Sequence, residues 1–137
     1  MGEAWARALE YLVKAGDKAA AAYANQSALD FYARALALCE QLGDASLATA
    51  AVAQRRGGLN MGLGSTRDAI ADFDRMLTAT RRLGNRHLEG LALARRGMCE
   101  FWNTDYDVAE RTLRAALVVG HEGFDDVRFS ASVWLGG

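Results

Sequence analysis

The sequence contains no proline, and only two of its 137 residues are cysteine. Proline interrupts helices because it lacks a backbone N–H and clashes with the preceding turn, so its absence allows long helices. Cys39 and Cys99 form no close-spaced motif. That spacing argues against a disulfide framework and favours ordinary buried thiols in a reducing compartment.

The sequence also lacks an excess charge of either sign and any long apolar run. Its 16 Lys and Arg residues are balanced by 17 Asp and Glu residues, whereas binding to nucleic acid or anionic lipid requires clustered basic residues. No apolar stretch reaches the roughly 18 to 20 residues that span a bilayer, and residues 1–3 lack the features of a signal peptide. We therefore expect a single cytoplasmic domain over residues 1–137 that binds neither nucleic acid nor a membrane.

What the sequence does contain is an internal repeat of about 40 residues. Glycines recur at intervals of 41 and 40 residues, and an alanine follows each one twelve positions later: Gly16 and Ala28, Gly57 and Ala69, Gly97 and Ala109. Four positions after the alanines, at helical spacing, come larger apolar residues: Tyr32, Phe73 and Leu113. Each unit is therefore predicted to be a pair of helices. A glycine within a helix costs about 0.5 to 1 kcal/mol relative to alanine, and close packing of the partner helix would offset that cost.

Turn and capping residues separate the predicted helices. Gly43 and Gly84 can adopt the left-handed conformation that ends a helix, and Asp44 and Asn85 can cap the helix that follows. The pattern predicts an all-α chain with helices over 3–24, 26–42, 45–63, 66–83, 86–103, 106–119 and 125–136. The repeats then cover about 3–43, 44–84 and 85–123, followed by a partial fourth over 124–137.

The glycine, alanine, aromatic-or-leucine pattern resembles the tetratricopeptide repeat (TPR) over nearly the whole chain. The resemblance implies antiparallel helix pairs stacked in a right-handed superhelix, or solenoid, whose concave groove binds a protein or peptide. The period exceeds the usual length of about 34 residues and is similar to the longer variant found in bacterial signalling proteins, including ATPase-containing transcription activators and adenylate cyclase-type proteins. HEAT repeats, the alternative with a similar period, commonly carry a proline kink and lack this Gly-to-Ala spacing.

The repeat period also bears on the end of the sequence. Adding 40 to position 97 gives Gly137, the last residue, so the fourth repeat is expected to be cut within its first helix. Val127, Phe129, Val133 and Trp134 would then cover the third repeat and leave their outer face without a partner. Such an end is expected to self-associate, because terminal repeats require a polar outer face.

In a stacked array of helix pairs, the first helix of each pair lines the concave face. We therefore predict a partner-binding face of Gln54, Arg55, Met61, Arg95, Met98, Phe101, Trp102 and Trp134. Its apolar members would anchor an amphipathic or apolar segment, and Arg55 and Arg95 would guide it. In the alternative, the apolar residues are covered by neighbouring repeats. The arginines then pair with acidic residues of adjacent helices, such as Asp68, Asp72, Glu89 or Glu100.

The sequence contains no constellation that indicates catalysis, a cofactor or a metal. His87 and His121 have no Cys or acidic partner at ligand spacing, and the paired glycines near Gly57 lack the strand and lysine of a phosphate loop. The carboxylate clamp that some members of the family use is also unexpected, because Asp17 would repel a carboxylate. We expect a non-catalytic binding scaffold within a larger signalling or regulatory protein. The alternatives are a peptide sensor that changes conformation on binding and an oligomerisation or spacer module without a groove ligand.

Overall fold

The computed structural model describes residues 2–43 and 45–136, which form seven α-helices and no strand. The helices are α1 (Gly2–Ala21), α2 (Asn25–Leu42), α3 (Ser46–Gly62), α4 (Thr66–Leu83), α5 (Arg86–Trp102), α6 (Tyr106–Gly120) and α7 (Asp125–Leu135). The all-α prediction is thus confirmed, and the largest difference in a boundary is at the end of α1. The predicted roles of Asp44 as a cap and Gly137 as a fourth repeated glycine lie outside the described residues.

Each helix packs against the next one along the chain. The pairs α1–α2, α3–α4 and α5–α6 have the most extensive interfaces, and α2–α3, α4–α5 and α6–α7 join one pair to the next. α7 also packs against α5. α7 therefore contacts both helices of the preceding pair.

The repeated glycines are the places where the two helices of a pair come closest. A Cβ on Gly16 would lie 2.6 Å from a ring carbon of Tyr32, and one on Gly57 would lie 2.9 Å from Cζ of Phe73. A Cβ on Gly97 would likewise be 2.6 Å from Leu113. The large side chain thus lies directly over the glycine. Beside it, the repeated alanines are buried: Ala28, Ala69 and Ala109.

The turn inside each pair has the same backbone but different residues. Tyr23, Gly64 and Thr104 all adopt positive φ, at 60°, 78° and 63°. The residue after each donates its backbone N–H to the carbonyl oxygen five positions earlier, as in Ser65 to Asn60 at 2.8 Å and Asp105 to Glu100 at 3.0 Å. This is the hydrogen bond of a Schellman turn, which satisfies carbonyls at the helix end. It explains why α1 ends at Ala21 and does not continue to the predicted residue 24.

Two further glycines, which lie outside the repeat pattern, bring α7 close to its neighbours. A Cβ on Gly90 would lie 2.9 Å from side-chain carbons of Val119 and Val127. A Cβ on Gly120, the last residue of α6, would lie 2.7 Å from the backbone nitrogen of Arg128 in α7. Because the second contact is with backbone, no side-chain rotation can relieve it.

We expect Gly120→Ala to destabilise the docking of α7 by about 2 kcal/mol, since overpacking forces the backbone to shift. Amide hydrogen exchange over residues 125–135 measures the effect as faster exchange. Gly62→Ala is the matched control, because Gly62 is also the last residue of a helix and its added Cβ would meet no atom within 4 Å. Equal exchange rates in Gly120→Ala and the parent protein would contradict the steric argument.

Candidate functional site

Four of the predicted partner-binding residues line one open groove. Met61 of α3, Met98 and Trp102 of α5, and Trp134 of α7 border a space of about 540 Å³. The other lining residues are small or uncharged: Gly58, Gly62, Gly64, Thr66 and Cys99. We call this set of nine residues the aromatic groove. Because α3, α5 and α7 follow one another at the repeat period, equivalent positions on these helices fall along the same side.

The groove keeps a large aromatic surface in contact with water. The Trp102 side chain is 64% exposed, although its ring contacts Trp134 edge-on, with ring centroids 5.9 Å apart. Trp134 also contacts Phe101 on its other side, at a centroid distance of 5.3 Å. The two tryptophans therefore form one wall, and the groove is also lined by Gly58 and Gly62 of α3, where an added Cβ would meet no atom within 4 Å.

Phe101 and Arg95 lie outside the aromatic groove, on neighbouring surfaces. The Phe101 ring packs edge-on against Tyr106, with centroids 5.3 Å apart, and borders a smaller space on the other side of Trp134. Arg95 borders a third space together with Met98 and Phe129. The structure thus places these two predicted residues around Trp134 but separates them from the groove.

Arg55 and Gln54 also lie apart from the aromatic groove. The Nε of Arg55 donates to the Asp17 carboxylate of the first repeat at 3.1 Å, and the Tyr32 hydroxyl donates to the same carboxylate. Burial, followed by the hydrogen bond to Asp17, raises the pKa of Tyr32 well above its usual value. Gln54 is half-buried. The guiding role predicted for Arg55 therefore competes with an ion pair that joins repeats one and two.

The arginines before the glycines mainly serve internal pairing. Arg56 pairs with Asp72, as one alternative predicted, at 2.7 Å. Arg96 bonds to Asp74 of the preceding repeat and lies 3.7 Å from Glu100. Among the described residues, Arg95 forms no ion pair. Glu89 pairs with Arg81 and Arg86 and not with either arginine doublet.

Repeats two and three place polar side chains at the same three positions near these arginines, but the acid lies on opposite helices. In repeat two, the Asp72 carboxylate of α4 accepts from Arg56 at 2.8 Å and from Asn60 of α3 at 2.9 Å. In repeat three, the position of Asn60 is taken by Glu100 and that of Asp72 by Thr112. This exchange is not evident from the repeated glycines and apolar residues, because it involves polar side chains that differ between the repeats.

Cys39 and Cys99 are buried, and His87 contacts residues near the start of α7. Burial raises the pKa of Cys99 to about 11 and also raises that of Cys39, so both remain protonated thiols at neutral pH. His87 Nε2 lies 2.7 Å from an Asp126 oxygen, and its ring stacks on Phe124 at 5.0 Å. This contact ties the start of α5 to the start of α7. The hydrogen bond from His87 lowers the pKa of Asp126.

Within residues 2–43 and 45–136, no three His, Cys, Asp or Glu side chains are placed to share a metal ion. In the same part of the chain, no helix combines the length and the apolar character needed to cross a membrane. No protein-family model matches the chain, and no curated protein matches it. The TPR resemblance therefore stays a prediction that follows from the repeat pattern.

Proposed function

We propose that the chain is a solenoid of TPR-like repeats that acts as a non-catalytic scaffold and binds a protein or peptide segment in the aromatic groove. The observation that carries this proposal is the convergence of Met61, Met98, Trp102 and Trp134 from three successive first helices. Helix pairs packed in chain order, with large side chains over the repeated glycines, support the repeat architecture.

The chemistry of the groove favours an apolar helix face as its ligand. Its lining residues include no charged side chain, so the groove offers no ion pair to a charged group of a ligand. Methionine side chains adapt to varied shapes, and an exposed tryptophan buries a large area when a partner covers it. Amphipathic helices use this mode of binding, with anchors spaced one turn apart.

The proposal is tested by selecting binders from a library of amphipathic helical peptides and then measuring affinity for Trp102→Ala. We expect this variant to bind the selected peptides about 2 kcal/mol more weakly, because a central tryptophan anchor is removed. Its circular dichroism spectrum should match that of the parent protein, since Trp102 is mostly exposed.

Tyr11→Ala is the matched control for Trp102→Ala. Tyr11 is exposed to the same extent, 64%, and lies on α1 away from the groove. Its removal should leave the affinity unchanged. If both variants bind equally well, or if no peptide is selected, the aromatic groove is not the binding site.

A second candidate function, self-association, is favoured by the outer face of α7. Phe129 and Val133 are 71% and 57% exposed, and both border the space beside Arg95. Sedimentation velocity across a concentration series separates the candidates. A monomer with an open groove supports peptide binding, whereas an association that Phe129→Ser abolishes supports an oligomerisation module.

A further inference from the structure

A larger cavity, of about 720 Å³, lies between α2, the start of α3, α4 and one residue of α5. It shares no lining residue with the aromatic groove. Its lining contains two acidic residues, Glu40 and Asp74, and four arginines. We call it the arginine cavity after these residues: Arg75, Arg81, Arg82 and Arg96.

Of these four arginines, two have an internal partner within residues 2–43 and 45–136 and two have none. Arg96 pairs with Asp74, and Arg81 pairs with Glu89 at 3.2 Å. Among the described residues, Arg75 and Arg82 form neither an ion pair nor a side-chain hydrogen bond. They occupy one face of α4, seven positions apart, with Thr78 between them at helical spacing. Two unpaired guanidinium groups therefore border the same concavity.

We propose that the arginine cavity binds a small molecule that carries a phosphate group. Guanidinium groups and hydroxyls are complementary to the several acceptor oxygens of a phosphate. Ser46 and Thr49 supply hydroxyls in the same lining. A phosphate carries nearly two negative charges, so it gains more from the arginines than a monocarboxylate does. The volume falls within the range of roughly 300 to 1,000 Å³ typical of small-molecule sites. This inference is independent of the proposed peptide-binding function.

Titration with pyrophosphate, followed by amide chemical shifts in NMR spectra, tests the proposal. We expect saturable shifts at Ser46, Thr49 and Thr78 with a Kd of about 1 mM or tighter. The Arg75→Gln/Arg82→Gln variant should bind at least tenfold more weakly. Arg7→Gln/Arg111→Gln is the charge-matched control, because both residues are exposed and lie on α1 and α6, outside the cavity. It should retain the parent affinity.

Three results would overturn the inference. The first is the absence of saturable shifts at the cavity, and the second is equal weakening by the two double variants, which would indicate non-specific attraction to charge. The third result is measured on the parent protein alone, and it is that malonate, a dicarboxylate, binds as tightly as pyrophosphate does. That result would exclude phosphate as the preferred ligand chemistry.

Discussion

The Gly57→Leu variant is expected to lose about 3 kcal/mol or more of its free energy of unfolding, because overpacking forces side chains and backbone out of place. A Cβ at this position would already lie 2.9 Å from Cζ of Phe73. The Phe73 ring is fully buried, so in a close-packed interior it can move only by displacing its neighbours. Urea denaturation followed by circular dichroism measures the loss. Because repeat two connects repeats one and three, most of the cooperative unfolding transition should be lost.

The neighbouring glycine provides the control for this substitution. Gly58 lies on the same helix, and a Cβ there would meet no atom within 4 Å. Gly58→Ala should therefore raise the free energy of unfolding by about 0.5 to 1 kcal/mol, because alanine is the better helix former. A loss of stability in both variants would show that the cost comes from the helix itself and not from the contact with Phe73.

The second large effect is expected at Asp72. Asp72→Thr should lower the free energy of unfolding by about 3 kcal/mol, because it leaves the charge of Arg56 and the buried amide of Asn60 without their acceptor. The Asp72 side chain is only 2% exposed, so water cannot replace it. Thermal or urea denaturation measures the change.

Repeat three suggests how this loss can be reversed. Adding Asn60→Glu to Asp72→Thr reproduces the arrangement of Arg96, Glu100 and Thr112, with the acid moved to the other helix. The double variant should recover about half of the lost stability, a coupling that a double-mutant cycle quantifies. Recovery should be partial because Nε of Arg96 and Oε1 of Glu100 have no hydrogen-bond partner among the described residues, and Arg96 depends mainly on Asp74. A double variant no more stable than Asp72→Thr would disprove the equivalence.

The helix pairs were predictable because apolar residues at helical spacing mark the buried face of each helix. The contact between Gly57 and Phe73 was predictable as well, because a glycine inside a helix is unfavourable unless close packing of the partner helix compensates for it. The positive φ of Tyr23 and Thr104 was not predictable, because glycine is the residue that usually indicates positive φ, and of these three turns only the one at Gly64 contains a glycine there. Gly120 was missed for another reason: its contact with α7 joins elements outside the repeat pattern.

The candidate site was predictable only in part. Met61 and Trp102 follow from their positions on equivalent helices, and the structure places both in the aromatic groove. Phe101 shares the offset of Met61, yet its ring packs between Tyr106 and Trp134. The arginine cavity could not be predicted, because it depends on which arginines find partners across the interface between repeats.

Trp134 belongs to α7, which packs against α5 and α6. The aromatic groove is therefore complete only while α7 is docked. A ligand that covers both Trp102 and Trp134 would bind the docked form alone, so its occupancy would also stabilise the packing of α7 against α5 and α6.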